Sequence, residues 1–157
     1  MTESGEYPLG RVIYFMAQDI RNVAEKVLAP YELTLEQFQV LKILSLERGL
    51  TQRQLGQETN KTPANMTRIL DRLEGKSLVT RKTNPGDRRV YLIYLTDKGL
   101  SLFDDVSGVF ELFSIRLHQG ITKEMQQATR KVLEIMSANL TSMASEFQKL
   151  EEEKHAP

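Results

Sequence analysis

The sequence has no cysteine and no tryptophan, and its uninterrupted apolar runs are short. Without a thiol, disulfide frameworks, thiol redox sensing and cysteine-ligated zinc are all excluded. The longest apolar runs, Val12–Ala17 and Val90–Leu95, have six residues each, well below the roughly 20 that a membrane-spanning helix needs. The first eight residues have neither the basic segment nor the apolar core of a secretory signal. We therefore expect a cytoplasmic protein.

Groups that carry catalysis are also scarce. His118 and His155 are the only two histidines, so a histidine-based metal site would need several carboxylates as further ligands. The position of His118 near a predicted helix end suits a residue that interacts with the helix dipole. No glycine-rich phosphate loop and no Ser-His-Asp set is visible. We expect no catalytic residues, no metal and no cofactor, and hence no enzyme.

Net charge is zero, with 21 basic and 21 acidic residues, but the charges are unevenly distributed. Residues 48–94 contain ten cations and four anions, and the rest of the chain has the opposite excess. A basic segment between acidic flanks is typical of a protein that presents one surface to phosphates. Chance clustering on a solvated surface is the alternative.

Three helices are predicted before residue 60, separated by clear stop and start signals. Pro30 ends the first helix. Thr34 with Gln37, and Thr51 with Gln54, have the spacing of a capping box and predict the starts of the second and third helices. The expected apolar sides are Val12, Met16, Ile20, Val23 and Val27 for the first helix, and Phe38, Leu41, Leu44 and Leu46 for the second.

A fourth helix is predicted to begin at Thr62 and Pro63, because threonine is a good N-cap and proline is tolerated at the first helical position. Its buried side comprises Met66, Ile69, Leu70 and Leu73. Its exposed side comprises Ala64, Asn65, Thr67, Arg68 and Arg72. Arginine and asparagine can form bidentate hydrogen bonds with guanine and adenine. Alternatively, Arg68 and Arg72 are solvated arginines beside Asp71 and Glu74.

Two β-type runs follow, Leu78–Thr83 and Val90–Leu95. The segment between them, residues 84–89, contains the turn former Pro85–Gly86, so a hairpin is predicted. Its tip carries Arg88 and Arg89. Arg89 could also be an edge-strand cation that discourages aggregation.

Two further helices are predicted at the carboxyl-terminal end, separated by a break at Gly120. With the first helix they make three long, apolar-striped helices, more apolar surface than a central module of about 60 residues could cover. Closure into an intramolecular bundle is one solution, and a homodimer is the favoured one. The expected stripes are Leu100, Phe103, Val106, Val109, Phe110, Phe113 and Leu117, and Met125, Ala128, Val132, Met136, Leu140, Met143, Phe147 and Leu150.

A short helix, a turn, a second helix and a basic hairpin in this order are typical of a winged helix-turn-helix. A helix fits the major groove of DNA, while a hairpin tip can reach the backbone or the adjacent minor groove. The predicted fold class is mainly α with a small β-hairpin wing (α+β), the winged module being flanked by N- and C-terminal dimerisation helices.

An ordered series of motifs then resembles the MarR family of bacterial transcription regulators over essentially the whole chain. The series comprises Thr67-Arg-Ile-Leu-Asp-Arg-Leu-Glu74, Leu78-Val79 with Arg81, Asn84-Pro-Gly-Asp-Arg-Arg89 and Leu95-Thr-Asp-Lys-Gly99. The resemblance implies an N-terminal dimerisation helix (7–32), a DNA-binding domain (33–96), C-terminal dimerisation helices (97–150) and a tail (151–157).

The resemblance also implies a homodimer that binds a pseudo-palindromic operator on double-stranded DNA, usually as a repressor. Arg89 and the neighbouring Arg88 would lie at the minor groove, where an A·T-rich sequence concentrates negative potential, and Asp87 would orient Arg89. Lys61 and Ser77 depart from the family pattern, which usually has an apolar residue and a glycine there. The residues that would enter the major groove are Thr62, Pro63, Ala64, Asn65, Thr67, Arg68 and Arg72.

A small organic effector that releases the DNA is also expected by family analogy. Tyr7, Arg11, Tyr14 and His118 would lie near its pocket and would suit an aromatic or anionic ligand, although tyrosine and arginine suit a dimer interface equally well.

Two other functions compete with DNA regulation. A helical protein-interaction adaptor would use the same apolar stripes but has no need for a basic wing. Binding of structured RNA is disfavoured, because the deep, narrow major groove of A-form RNA does not admit a helix.

Overall fold

The computed structural model describes the backbone of residues 7–154 and the side chains of residues 7–152. The chain divides into two compact units, one ending at Ile115 and one beginning at Arg116. The predicted α+β class with a β-hairpin wing is confirmed. The elements are α1 (Leu9–Leu28), a 3₁₀ turn (Ala29–Tyr31), α2 (Leu35–Leu46), β1 (Leu50–Thr51), α3 (Gln52–Glu58), α4 (Pro63–Gly75), β2 (Val79–Asn84), β3 (Asp87–Leu95), α5 (Asp97–Leu117) and α6 (Lys123–Lys154).

Each of the three predicted threonine caps is present. Thr34 Oγ1 accepts a hydrogen bond from the Gln37 N–H at 3.2 Å, and Gln37 Oε1 accepts one from the Thr34 N–H at 3.1 Å. Thr51 and Gln54 make the same reciprocal pair. At the start of α4, Thr62 Oγ1 accepts from the N–H three residues later at 3.3 Å. These bonds satisfy amides that have no partner inside the helix, and they set where α2, α3 and α4 begin.

The sheet has three antiparallel strands in the order β1-β3-β2, one strand more than the predicted hairpin. β1 is only two residues long and pairs Leu50 with Ile93, too short to produce an alternating pattern. The turn is shorter than the six residues predicted, because β3 already begins at Asp87. Only Pro85–Gly86 turns the chain, and Asn84 Oδ1 accepts from the Gly86 N–H at 3.0 Å.

A single apolar core lies in the first unit, between α2, α4 and the sheet. Phe38, Leu41 and Leu44 of α2 are buried there as predicted, but Leu46 is 77% exposed, so its predicted burial is wrong. Leu46 follows Leu44 by two positions, roughly 200° around the helix, and therefore points away from the core. The core comprises Leu28, Leu33, Phe38, Val40, Leu41, Leu44, Leu50, Leu55, Met66, Leu70, Leu73, Leu78, Val79, Ile93 and Val106.

The start of α5 is joined to the turn after α4 by a compact set of contacts. The Thr96 N–H donates to the Leu78 carbonyl at 3.1 Å, and its hydroxyl donates to the Ser77 carbonyl at 2.6 Å. The same hydroxyl accepts from the Gly99 N–H at 3.0 Å. A Cβ added at Gly99 would lie 2.0 Å from the Leu78 carbonyl oxygen. Only glycine therefore fits at this joint, which holds α5 against the winged module.

The predicted apolar stripe of α1 is not its buried side within the first unit. Ala24 and Leu28 are buried, whereas Val12, Met16 and Val23 are exposed. Large apolar side chains therefore remain uncovered along α1.

In the second unit, α6 exposes almost its whole surface. Of the α6 side chains that the structure describes, only Met136 is half-buried, and Phe147 is 62% exposed. The helix continues to Lys154, so the first four residues of the predicted 151–157 tail are helical, and the last three lie outside the described residues. Within residues 7–154, none of the helices combines the length and the hydrophobicity that a membrane span requires.

The close approach of Gly99 to the Leu78 carbonyl predicts that Gly99→Ala destabilises the protein by about 3 kcal/mol or more. The added methyl group would overlap a backbone carbonyl that cannot move independently. Gly108→Ala is the matched control in the same helix, since a Cβ there meets nothing within 4 Å. It should leave stability unchanged or raise it by about 0.5 to 1 kcal/mol. Urea unfolding at one protein concentration measures both, and equal midpoints would contradict the role given to Gly99.

Candidate nucleic-acid interface

Helix α4 presents one apolar and one polar side. Met66, Leu70 and Leu73 are buried, which turns the opposite side of the helix towards solvent. The exposed side contains all the residues predicted to enter the major groove, namely Thr62, Pro63, Ala64, Asn65, Thr67, Arg68 and Arg72. Burial of the apolar side therefore places this polar set on one accessible surface.

The acidic residues of α4 are paired with a strand residue. Arg81 of β2 lies 2.7 Å from Asp71 Oδ1 and 2.5 Å from Glu74 Oε2. Within residues 7–152, Arg68 and Arg72 make no ion pair. Asp71 and Glu74 therefore do not neutralise Arg68 and Arg72, both of which are exposed to solvent. Arg81 also ties the hairpin to α4, which fixes the wing relative to the helix.

The Thr67 hydroxyl is already engaged inside the protein. It donates to the Pro63 carbonyl at 2.9 Å and accepts from Gln52 Nε2 at 2.7 Å. A hydrogen bond donated by this hydroxyl to a phosphate would require its bond to the Pro63 carbonyl to break. Gln52 was missed by sequence analysis, because a contact across fifteen residues leaves no local signal.

Polar residues of α3 and the α3–α4 turn line a cleft of about 680 Å³ beside α4. Arg53, Gln57 and Asn60 contribute hydrogen-bond donors that could face a phosphate backbone. Sequence analysis assigned no role to these three residues. The helix-turn-helix pattern could have indicated them, because the first helix of that motif crosses the DNA backbone.

The hairpin presents Arg89 to solvent with its side chain 91% exposed. Its Nε lies 3.2 Å from Asp87 Oδ1, and its backbone N–H donates to the same oxygen at 3.0 Å. These hydrogen bonds, the side-chain one first, lower the pKa of the Asp87 carboxyl. Asp87 therefore keeps its charge near neutral pH and loses this pairing only when the pH falls through its lowered pKa. Arg88 is exposed on the same strand.

The residues predicted for an effector pocket do not all fall in one unit. Tyr7 and Arg11 are in contact, with the guanidinium 4.3 Å from the ring centroid, and the same guanidinium lies 5.5 Å from the ring of Phe15. Tyr14 packs edge-on against Phe15 at 5.5 Å. His118 belongs to the second unit, in the turn after α5. The cation predicted to bind an effector therefore already lies over aromatic rings.

Within the described residues, no cluster of three or more histidine or acidic side chains could hold a metal ion. The buried and exposed sides of α4, the basic hairpin and the cap-defined turn between α3 and α4 together define a winged helix-turn-helix DNA-binding protein.

Comparison with known proteins identifies the particular family. The sequence model of the MarR family matches residues 33–91. The multiple antibiotic resistance protein MarR of Escherichia coli (strain K12) is 32% identical over 118 residues, covering 75% of this chain and 80% of that protein. The HTH-type transcriptional repressor Rv2887 of Mycobacterium tuberculosis is 27% identical over 132 residues, covering 84% of this chain and 95% of that protein. The chain belongs to the MarR family and is a DNA-binding transcription regulator.

The fold likeness includes a protein solved on DNA. A mutant of E. coli MarR complexed with operator DNA aligns with a TM-score of 0.75 and 27% sequence identity, covering 82% of this chain and 93% of that chain. The described fold is therefore similar to that of a regulator in its DNA-bound form.

The ion pairs of Arg81 with Asp71 and Glu74 predict that Arg81 contributes to stability and that Arg72, which has no such pair within residues 7–152, does not. Arg81→Met should lower the free energy of unfolding by about 1 kcal/mol, and the loss should shrink at high salt, because half-exposed ion pairs are weak and screened. Arg72→Met, on the same helix but without an ion pair within residues 7–152, should change stability by less than about 0.5 kcal/mol. Thermal or urea unfolding compares the two variants. Equal losses would mean that Arg81 does not tie the hairpin to α4.

Proposed function

We propose that this chain represses transcription as a homodimer that binds a pseudo-palindromic operator. In each copy, α4 enters the major groove with Arg68, Arg72 and Asn65 towards the bases, and Arg89 reaches the adjacent minor groove. One observation supports this proposal above the others. The exposed side of α4 presents Arg68 and Arg72, which have no acidic partner in residues 7–152. Arg89 of the hairpin is almost fully exposed as well.

The relatives support a repressor that reads DNA. The similar Mycobacterium tuberculosis protein is named a transcriptional repressor, and the similar E. coli structure holds operator DNA. A cytoplasmic location and a role without catalysis are part of this proposal, because a repressor of this kind acts on DNA by binding it.

The second copy is proposed from the uncovered apolar surface. Val12 and Met16 of α1, Leu112 of α5, and Leu140 and Phe147 of α6 are all exposed. Exposed apolar surface on this scale is unfavourable in water and marks an interface. A second copy of the chain would cover it and would supply the two-fold symmetry that a palindromic site requires.

An organic effector is proposed at the start of α1. Arg11 is the cation available to an aromatic or anionic ligand, with Tyr7 in contact with it and Tyr14 on the same helix. A ligand there would compete with the Tyr7 ring for the Arg11 guanidinium. Loss of the contact between Tyr7 and Arg11 would then allow the ligand to shift the beginning of α1.

Arg89→Ala should weaken binding to a selected duplex by about 1 to 3 kcal/mol, or roughly 5- to 150-fold, because it removes a groove contact. Lys149→Ala removes the same charge from an exposed position of α6 and should leave affinity nearly unchanged. Both variants should keep a mass of about 36 kDa by light scattering, twice the 18.0 kDa of one chain.

Equal effects of the two substitutions would show that the wing does not contact DNA. Such a result, with the dimer intact, would favour a protein-interaction adaptor. A stable species of one chain mass at micromolar concentration would contradict the dimer.

A further inference from the structure

One carboxylate joins three separate parts of the first unit. Glu36, in the first turn of α2, lies 2.5 Å from Arg21 NH1 of α1. Lys61, the last residue before the Thr62 cap of α4, has its Nζ 3.6 Å from the same Glu36 oxygen. The chain Arg21–Glu36–Lys61 therefore runs from α1, across the start of α2, to the residue that precedes α4.

The environment keeps this carboxylate charged. Burial raises the pKa of Glu36, but the hydrogen bond from Arg21, the backbone hydrogen bond at Glu36 itself and the positive charges of Arg21 and Lys61 lower it further than burial raises it. The net direction is downward, so Glu36 is ionised near neutral pH and both ion pairs are present.

Other hydrogen bonds also join the elements that the charge chain connects. The Lys61 N–H donates to the Gly56 carbonyl of α3 at 2.8 Å, and a Cβ at Gly56 would lie 3.1 Å from the Lys61 carbonyl oxygen. On the other side, Glu25 Oε1 of α1 accepts from the Leu35 N–H of α2 at 3.1 Å. A shift of α1 relative to α2 would therefore disturb Glu36, whose carboxylate also contacts Lys61.

The position of Glu36 is unexpected for a DNA-facing surface. It lines a cleft of about 270 Å³ with Lys61, Asn65, Arg68 and Arg72. An anion in this cleft would repel phosphates, so its electrostatic effect alone would weaken DNA binding. A carboxylate that holds Lys61 in place would offset this repulsion by fixing where α4 begins.

We propose that Glu36 and Lys61 are positioning residues for DNA reading. The Arg21–Glu36–Lys61 chain fixes the start of α4 relative to α1. The apolar side of α1 is the one that a second copy would cover, so this helix would also set the orientation of α4, the proposed recognition helix. This inference rests on the proposed DNA-binding function. It assigns Lys61 a role inside the protein and no direct bond to phosphate.

A double-mutant cycle on DNA affinity tests the inference. The probe is a duplex that the wild-type protein enriches from a random-sequence pool, titrated between 50 and 200 mM salt. Glu36→Gln and Lys61→Met should each weaken binding about two- to five-fold, the size of one partly exposed ion pair. The double variant should be no weaker than the weaker single variant, because both substitutions remove one linkage. Lys61→Arg should stay within about two-fold of wild type, and all salt slopes should be equal.

Glu58→Gln is the matched control, since it removes a negative charge from the same module at an exposed carboxylate without an ion pair in residues 7–152. It should leave affinity unchanged or raise it slightly.

The opposite result is equally distinct. If Lys61 contacts a phosphate directly, Lys61→Met would reduce the salt slope by about one, and Glu36→Gln would tighten binding by removing repulsion. Unchanged or tighter binding of Glu36→Gln would overturn the inference alone. A wild-type protein that enriches no duplex would overturn the proposed function, and the inference with it.

Discussion

Met66, Leu70 and Leu73 are fully buried, and their burial determines which side chains of α4 face outwards. Burying a side chain of this size contributes roughly 1.5 to 3 kcal/mol, so rotation of the helix about its axis would cost several such terms. Because the opposite side of α4 is held in the core, Arg68 and Arg72 remain directed towards solvent. The Thr62 cap sets the residue at which α4 begins.

Ion pairing then decides which charges remain available on this surface. Arg81 takes up both carboxylates of α4, and Asp87 lies against Arg89 at the edge of the hairpin. The result is a basic surface on a chain with no net charge. The two arginines of α4 have no ion pair in residues 7–152, whereas the wing arginine is held in one direction by a carboxylate that stays ionised near neutral pH.

Local signals explain how much of the fold the sequence could predict. Caps leave local signals, so Thr34 and Thr51 are recognisable from a glutamine three residues later, and Thr62 from the proline that follows it. The hairpin was recognisable from Pro85–Gly86. β1 was not, because a two-residue strand exists only through its pairing with β3. The exposure of Leu46 is not evident from its apolar character alone, because that depends on its angle around α2, roughly 200° from Leu44.

The site was predictable where one element carries it, and was missed where several elements meet. The outward set of α4 follows from its periodicity, but the Gln52–Thr67 hydrogen bond and the Arg21–Glu36 pair link distant segments that share no pattern. Two departures from the family pattern now have physical descriptions. Ser77 adopts a φ of 60°, a left-handed conformation in which glycine is favoured. Lys61, at a position that is usually apolar, pairs with Glu36 instead of entering the core.

The most direct test of the account is whether the protein reads DNA with two-fold symmetry. Two recognition helices related by a two-fold axis require half-sites about one helical turn, or roughly 10 base pairs, apart. Titration of an enriched inverted repeat, and of the same duplex with five base pairs inserted at its centre, measures this requirement, because the insertion turns one half-site to the opposite side of the DNA. The account predicts tight, salt-sensitive binding to the first duplex and much weaker binding to the second. Equal affinity for both, or affinity that does not change between 50 and 200 mM salt, would contradict it.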